Sequence, residues 1–380
     1  MAALIERINL IQFRDSDHAQ HYVQIELDDR ETRGYGGPLY PGQRDALRQL
    51  LPALRRSLCG RDVLDRHYSF QWLWQQCFPE KPLATFERGL DPLTGCEIWN
   101  QRRPSRHTAT GNMVCALSAV DNALWDLRGI LDDKPVAALL SPSFRKELPA
   151  YLSTVPSGDL SKDLDLAEAL YEQGGDRQKW FFRWGPADGP EGLHKTASLA
   201  EGLRTRLGDK VTLMFDFAVG QRGRADWDIP FAREVASILE PLEPLWLEEP
   251  FSPEEIDCYR ALREATSIPI ATGEHSYSRW HILPFLKEGL IDIVQCDPEW
   301  CGGISEVLSI LDILQKQFPD KIYCPHGHHV LASSQLVAAH SPELCPMVEH
   351  GWRWLPAIQH FQTATVEPEN GYRPLPATPG

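Results

Sequence analysis

The sequence predicts an α/β chain in which a closed parallel (β/α)8-type barrel follows a smaller α+β segment. From Leu148 onward, short apolar runs alternate with amphipathic stretches of roughly ten to fifteen residues, the pattern of repeated βα units and a parallel sheet. Eight such runs occur: LPAYLSTV, QKWFFRW, KVTLMFDF, PLWLEEP, IPIATGEH, IDIVQCDP, KIYCPHG and PMVEHG. No Gly-rich phosphate turn follows the first run, whereas an open doubly wound sheet of this size usually carries one. A closed barrel is therefore favoured over residues 141–350.

Residues 1–140 read as an α+β unit. INLIQF and HYVQIEL are strand-like, the glycines of Arg33–Gly37 read as a turn, and helical periodicity follows. The stretch Met113–Gly129 places apolar residues at helical spacing and ends in a glycine suited to a C-cap. After about residue 351 the βα pattern stops, and the tail rich in Pro and Trp is expected to cross back to the first unit.

Composition narrows the class. With 42% hydrophobic residues, 24% charged residues, 12 Trp, 14 Phe and 10 Tyr in 380 residues, the chain has ample apolar surface for a large core, which excludes disorder. A net charge of -15 without clustered Lys and Arg argues against a nucleic-acid partner. No window approaches the roughly eighteen apolar residues of a membrane span. The start, MAALIERINLIQF, carries Glu6 and Arg7 inside its apolar stretch and reads as a first strand rather than a signal peptide. Nine cysteines, odd in number and without CxxC pairs, fit reduced thiols. These features predict a cytoplasmic enzyme acting on a small molecule, and exposed aromatics on the first unit suggest a homo-oligomer.

Catalytic groups of a parallel barrel sit where its strands end. Here the runs close on Asp216, on Glu248 and Glu249, on Glu274 with His275, on Asp297, on His326 and on Glu349. Asp216, Glu248 and Glu274 lie on successive strands, which run roughly 5 Å apart. Three carboxylates at that spacing repel one another unless a cation neutralises them, and an all-oxygen set suits Mg2+ rather than Zn2+. Asp297 and His326 form a second group. A carboxylate on one imidazole nitrogen fixes the tautomer and raises the basicity of the other, as a general base beside a carbon acid requires. His328 and His329 follow at once in HGHHV, so position alone leaves the identity of the base open.

With these residues in place, the chain resembles the enolase superfamily, in particular its mandelate racemase subgroup. The matching elements are SAVDNALWDLRGILDDKPVAALL, LMFDF, WLEEPF, ATGEH, DIVQCDPEWCGGISE and PHGHHV, in that order. The run RWGPADGPEGLHK, with GEH and DPEWCGG, is most similar to the L-rhamnonate dehydratase-like acid-sugar dehydratases. The resemblance implies an α+β capping domain on a modified (β/α)7β barrel, Mg2+ held by Asp216, Glu248 and Glu274, and a His326–Asp297 dyad. One departure stands out. Many members carry a KxK pair whose second Lys is a base, and here Lys179 is followed by Trp180 and Phe181.

The reaction so implied removes the proton next to a carboxylate through a metal-stabilised enediolate and expels the β-hydroxyl, giving a 2-keto-3-deoxy acid. Lys179 or Arg183 would add positive charge, Glu349 could donate a hydrogen bond if protonated, and His275, Tyr35 and His328 would contact substrate. An epimerase, a cycloisomerase or a non-catalytic barrel are the alternatives on the same scaffold.

Overall fold

The computed structural model describes residues 2–65, 67–78, 110–217 and 228–380. The first unit is a three-stranded antiparallel sheet, β1 (Ile5–Arg14), β2 (Ala19–Leu27) and β3 (Arg33–Leu39), in that order. Against it pack α1 (Pro41–Leu58), α2 (Phe70–Cys77) and α3 (Gly111–Asp132), burying Ile8, Val23, Ile25, Leu47, Leu54, Val120 and Leu124 in one core.

The glycines of Arg33–Gly37 are not a turn but most of strand β3. Their role is close approach: a Cβ on Gly36 would lie 1.9 Å from the Ala119 carbonyl oxygen, and one on Gly34 would lie 2.5 Å from Leu127 Cγ. Helix α3 can therefore lie directly on the strand, which turn-like composition conceals. The predicted helix end also moves. Helix α3 runs through Gly129 to Asp132, and Asp133, with φ of 53°, terminates it in the left-handed region. Gly129 serves instead as a seat for the chain terminus, since a Cβ there would meet Gly380 N at 2.6 Å.

Eight parallel strands make the barrel: β4 (Glu147–Thr154), β5 (Arg177–Phe181), β6 (Thr212–Asp216), β7 (Leu247–Glu248), β8 (Ile270–Thr272), β9 (Ile293–Val294), β10 (Ile322–Tyr323) and β11 (Val348–Gly351). The ladder runs from β4 to β10 in chain order, and β11 joins the free side of β4, with Val348 opposite Ala150. At the seam between β10 and β11, Tyr323 N donates to Leu344 O at 2.7 Å. Helix α4 (Val136–Leu140) precedes the barrel. Among the described residues, helices α5 (Leu160–Glu172), α6 (Gly189–Leu207), α7 (Ile229–Leu239), α8 (Ile256–Arg263), α9 (Arg279–Lys287), α10 (Ile304–Gln317) and α11 (Val330–Ala339) each connect two successive barrel strands. No such helix follows β11, so the architecture is (β/α)7β rather than the complete eightfold repeat that periodicity alone suggests.

Tyr151, Met214, Trp246, Ala271, Ile293 and Cys324, one from each of six strands or strand flanks, form a buried cluster that fills the barrel as a core. After β11 the chain forms a short helix, α12 (Leu355–Ile358), and β12 (Tyr372–Pro374), which pairs antiparallel with β4. On the way it meets the first unit: Gln20 Nε2 donates to Ala357 O at 2.7 Å, and the Phe13 and Phe361 rings stack at 6.0 Å. Cys115, Cys296, Cys301, Cys324 and Cys345 are buried free thiols and Cys59, Cys77 and Cys258 half-buried ones; Cys96 lies outside the described residues. Among the described residues no helix is long and apolar enough to cross a membrane.

Beneath the tail, Arg373 on β12 is fully buried and donates to Glu349 O and to His350 Nδ1, both at 2.8 Å. Burial and the adjacent guanidinium depress the His350 imidazole to about 3. Because the folded value lies below the unfolded one, protons bind preferentially to the unfolded chain. This contribution to stability is complete above about pH 6.5 and is lost as pH falls from there towards about 3. Between about pH 7 and pH 5 it amounts to roughly 2 kcal/mol. Urea denaturation at both pH values should show that His350→Gln loses less stability than wild type on acidification; equal losses would remove His350 from the account.

Candidate active site

The ends of the strands deliver their acids into one buried cluster. Asp216 closes β6 and stands in register with Glu248 on β7; Glu274 lies two residues beyond the end of β8, after Gly273. All are buried, as are Glu249, Asp297 and Glu349. Lys179, from the middle of β5, is also fully buried and lies among them: its Nζ is 3.1 Å from Asp216 Oδ2, 3.0 Å from Glu349 Oε1, and in direct contact with Glu248 Oε1. Burial opposes the ammonium charge, but Glu248, Glu349 and Asp216 outweigh it and hold Lys179 well above its ordinary value.

The floor below is aromatic and polarised upward. Trp246 Nε1 donates to Glu248 Oε2 at 2.9 Å, and Tyr151 OH donates to Glu349 Oε2 at 3.2 Å; the two rings meet edge to face at 5.3 Å. Each aromatic thus fills the barrel with its ring and satisfies a buried carboxylate with its polar edge.

His326 Nδ1 lies 3.0 Å from Asp297 Oδ2, and its Nε2 lies 3.4 Å from Glu274 Oε2. Asp297 is held in turn by the Glu299 backbone N–H at 2.7 Å. Desolvation alone would lower the imidazole, but Glu274, Asp297 and Glu349 raise it to about 10. Neighbouring carboxylates therefore keep the proton on His326 at neutral pH. A cation placed among them would work against that elevation and free Nε2 to accept a proton.

Helix α3 fixes the loop that carries the dyad's carboxylate. Ser118 Oγ accepts from Gly302 N at 2.8 Å, Asn122 Oδ1 from Ile304 N at 3.0 Å, and Asp121 Oδ2 from Ser305 N at 2.9 Å. Asn122 Nδ2 also donates to Pro298 O at 3.2 Å. Gly303, at φ of 87°, lets the loop approach so closely that a Cβ there would lie 2.4 Å from Asp121 Oδ2. Polar residues on one face of an otherwise apolar helix thus bind the backbone of the segment after β9.

Not every residue named from the sequence joins this cluster. Arg183 is exposed and donates to the carbonyl oxygens of Ser157 at 2.8 Å and Pro156 at 3.4 Å, because β5 has ended before it and the side chain turns to the loop after β4. Glu349 does not fit a hydrogen-bond donor. Burial pushes its carboxyl up, but Lys179 and His326 bring it down to about 2, so it is ionised and already accepts from Gly327 N at 2.9 Å. Tyr35 lines a different cavity of about 470 Å³, shared with Phe13, Tyr22, Asn122 and Phe361 and containing neither the dyad nor Asp216, Glu248 or Glu274. Its direction follows from β3 being a strand rather than a loop over the barrel.

His275 Nδ1 is 2.8 Å from Glu249 Oε2 and 3.4 Å from Glu274 Oε1, which against the cost of burial raise it to about 9. Glu249, with φ of 42°, is held in the left-handed region, and this turn sends it away from Glu248 towards His275. His328 lies beside Trp300, with ring centroids 5.1 Å apart, and 3.3 Å from Tyr40 OH; burial and the neighbouring histidines depress it to about 3. His329 pairs with Glu299 at 3.1 Å. Only His326 of the three histidines contacts Asp297, so geometry distinguishes candidates that sequence position could not. Trp300, tilted 4.9 Å from His326, was not singled out by sequence because an aromatic in a loop carries no catalytic signature.

This fold and site define a class. The enolase C-terminal domain-like family matches residues 162–380. L-rhamnonate dehydratase from Saccharopolyspora erythraea is 31% identical over 308 residues, covering 79% of this chain and 74% of that protein. The 3,6-anhydro-D-galactonate cycloisomerase from Zobellia galactanivorans shares the fold with a TM-score of 0.75 at 24% identity, covering 100% of this chain and 95% of the other. A mandelate racemase/muconate lactonizing enzyme-like protein from Rubrobacter xylanophilus gives 0.76 at 23% identity, covering 100% and 94%. The chain belongs to the enolase superfamily.

Replacing Lys179 with an uncharged side chain leaves buried carboxylates without their shared cation. Lys179→Met should therefore cost about 3–5 kcal/mol in urea denaturation without added divalent ions. A loss below about 1 kcal/mol would mean that the carboxylates do not depend on this lysine.

Proposed function

We propose that this protein is a Mg2+-dependent dehydratase of an acid sugar, an aldonic or aldaric acid, yielding a 2-keto-3-deoxy acid. The observation that carries this reading is a single Asp-oriented imidazole, His326, facing a buried carboxylate cluster, while the position where many relatives carry a second lysine base is Phe181. The dehydratase relative at 31% identity supports the same reaction class.

The donor set fits Mg2+. Asp216, Glu248 and Glu274 offer only oxygen and come from neighbouring strands, and burial, helped by the like charges beside them, pushes the Asp216 and Glu248 carboxyls up against the pull of Lys179. Asp216, Glu248 and Glu274 would hold the ion, with Glu249 and His275 beside Glu274. When bound, Mg2+ supplies the positive charge that makes a proton next to a carboxylate removable.

His326 Nε2 takes that proton, with Asp297 keeping Nδ1 protonated and stabilising the imidazolium that forms. The same imidazolium then gives its proton to the departing β-hydroxyl, which leaves as water, and the resulting enol becomes the ketone. Lys179 lies against Asp216, Glu248 and Glu349, whose charges hold its amine protonated and so disfavour it as a second base. Phe181, at the end of β5, packs edge to face on Trp354 with ring centroids 6.0 Å apart and carries no proton to return. Dehydration without epimerisation follows. Trp300 and His328 border His326, Tyr40 lies against His328, and together they would limit the size of the sugar acid.

Incubating the purified protein and Mg2+ with a library of aldonic and aldaric acids that includes L-rhamnonate, with detection of 2-keto acids as semicarbazones, tests the assignment. A cognate acid should give its 2-keto-3-deoxy product with no C2 epimer; an accumulating epimer would favour a two-base reaction. With that substrate, His326→Asn should lose both dehydration and exchange of the α-proton with deuterated solvent. Persistent exchange in the variant would show that another residue is the base.

A further inference from the structure

The turn between β1 and β2, RDSDHAQ, has no part in the chemistry above, yet it carries an ordered group of metal-binding side chains. Asp15 and His18 face His360, which lies just beyond α12 in the tail that follows the barrel. Ligand atoms of Asp15, His18 and His360 all lie within 4.8 Å of one another. The His18 and His360 rings stack with centroids 4.0 Å apart, and His360 Nε2 is hydrogen-bonded to Asp15 Oδ2. The other Asp15 oxygen, Oδ1, accepts from the backbone N–H groups of Asp17 at 2.8 Å and His18 at 2.7 Å, which fixes the carboxylate with Oδ2 directed to the histidine.

We infer that Asp15, His18 and His360 form a binding site for a Zn2+-class transition-metal ion, separate from the carboxylate cluster in the barrel. Two imidazoles and one carboxylate are a donor set that Zn2+ accepts with tetrahedral geometry, leaving a position for water. The same set suits Mg2+ poorly, since that ion seeks oxygen donors. Tetrahedral bonds of about 2.0–2.2 Å bring ligand atoms roughly 3.3 Å apart, so the side chains need only rotamer adjustment from their present spacing. All three are accessible, with side-chain exposures of 41% for Asp15, 41% for His18 and 34% for His360. An entering ion replaces the proton shared between Asp15 and His360, and that proton leaves to solvent.

The site is built where two distant parts of the chain already meet. Gln20 Nε2 donates to Ala357 O at 2.7 Å and Ile358 O at 3.3 Å, and Phe13 stacks on Phe361. These contacts hold the turn against the tail without the ion, so little ordering remains to be done on binding. A bound ion would then clamp the first unit to the segment after β11.

The test is a Zn2+ titration of chelator-stripped, full-length protein in excess Mg2+, which occupies oxygen-rich sites, using a chromophoric chelator as competitor. Wild type should bind one more Zn2+ per chain than His360→Gln, with His18→Gln and Asp15→Asn weakening that site by about tenfold or more. Zn2+ should also raise the melting temperature of wild type and leave that of His360→Gln unchanged. Equal Zn2+ stoichiometry and affinity in wild type and the His360→Gln variant would overturn the proposal, as would a Zn2+-induced stabilisation that persists in the variant. The variant residues lie outside the barrel cluster, so a failure here leaves the dehydratase reading standing.

Discussion

Placing several carboxylates together in a water-poor interior is the constraint around which this barrel is arranged. Each of Asp216, Glu248, Glu274 and Glu349 would be costly alone, and together they repel. The fold meets this cost at three levels. Lys179 places one ammonium against Asp216, Glu248 and Glu349. Trp246 and Tyr151 send hydrogen bonds upward from the apolar floor. Parallel strands then ensure that every acid arrives from the same end, which an antiparallel sheet would not do. The resulting field holds a proton on His326, and a divalent cation bound among the same charges would lower that hold.

The first unit contributes rigidity to that arrangement. Helix α3 is apolar where it meets β3 and polar where Ser118, Asp121 and Asn122 bind the loop after β9. Glycines mark both faces: Gly34 and Gly36 admit the helix to the sheet, and Gly303 admits the loop to the helix. Asp297 therefore depends on packing in a unit remote in sequence. The dyad geometry is a product of both units rather than of the barrel alone.

Strand ends were the most legible feature of the sequence, because an apolar run that closes on an acid states both its burial and its chemistry. Asp216, Glu248, Glu274, Asp297 and His326 could be named that way; in the structure Lys179 touches Asp216 and Glu248, and His326 meets Glu274 and Asp297. Residues whose direction depends on local backbone were not legible. Arg183 is two positions beyond the last inward residue of β5, and only the end of the strand reveals that it turns outward. Glu349 looks like any rim acid until Lys179 is seen against it. Glu249 leaves its neighbour Glu248 because of one left-handed residue, and the glycines of β3 mimic a turn because close packing and tight turning select the same residue.

Manganese is the probe that reports most directly on the central claim, that Asp216, Glu248 and Glu274 converge on one hard divalent cation. Electron paramagnetic resonance of Mn2+ titrated into the chelator-stripped protein, with Mg2+ as competitor, counts the sites and their affinity. The account predicts one tight site per chain that Mg2+ displaces and that Glu248→Gln weakens by about an order of magnitude or more. Absence of a tight site, or one that Glu248→Gln leaves unchanged, would contradict it.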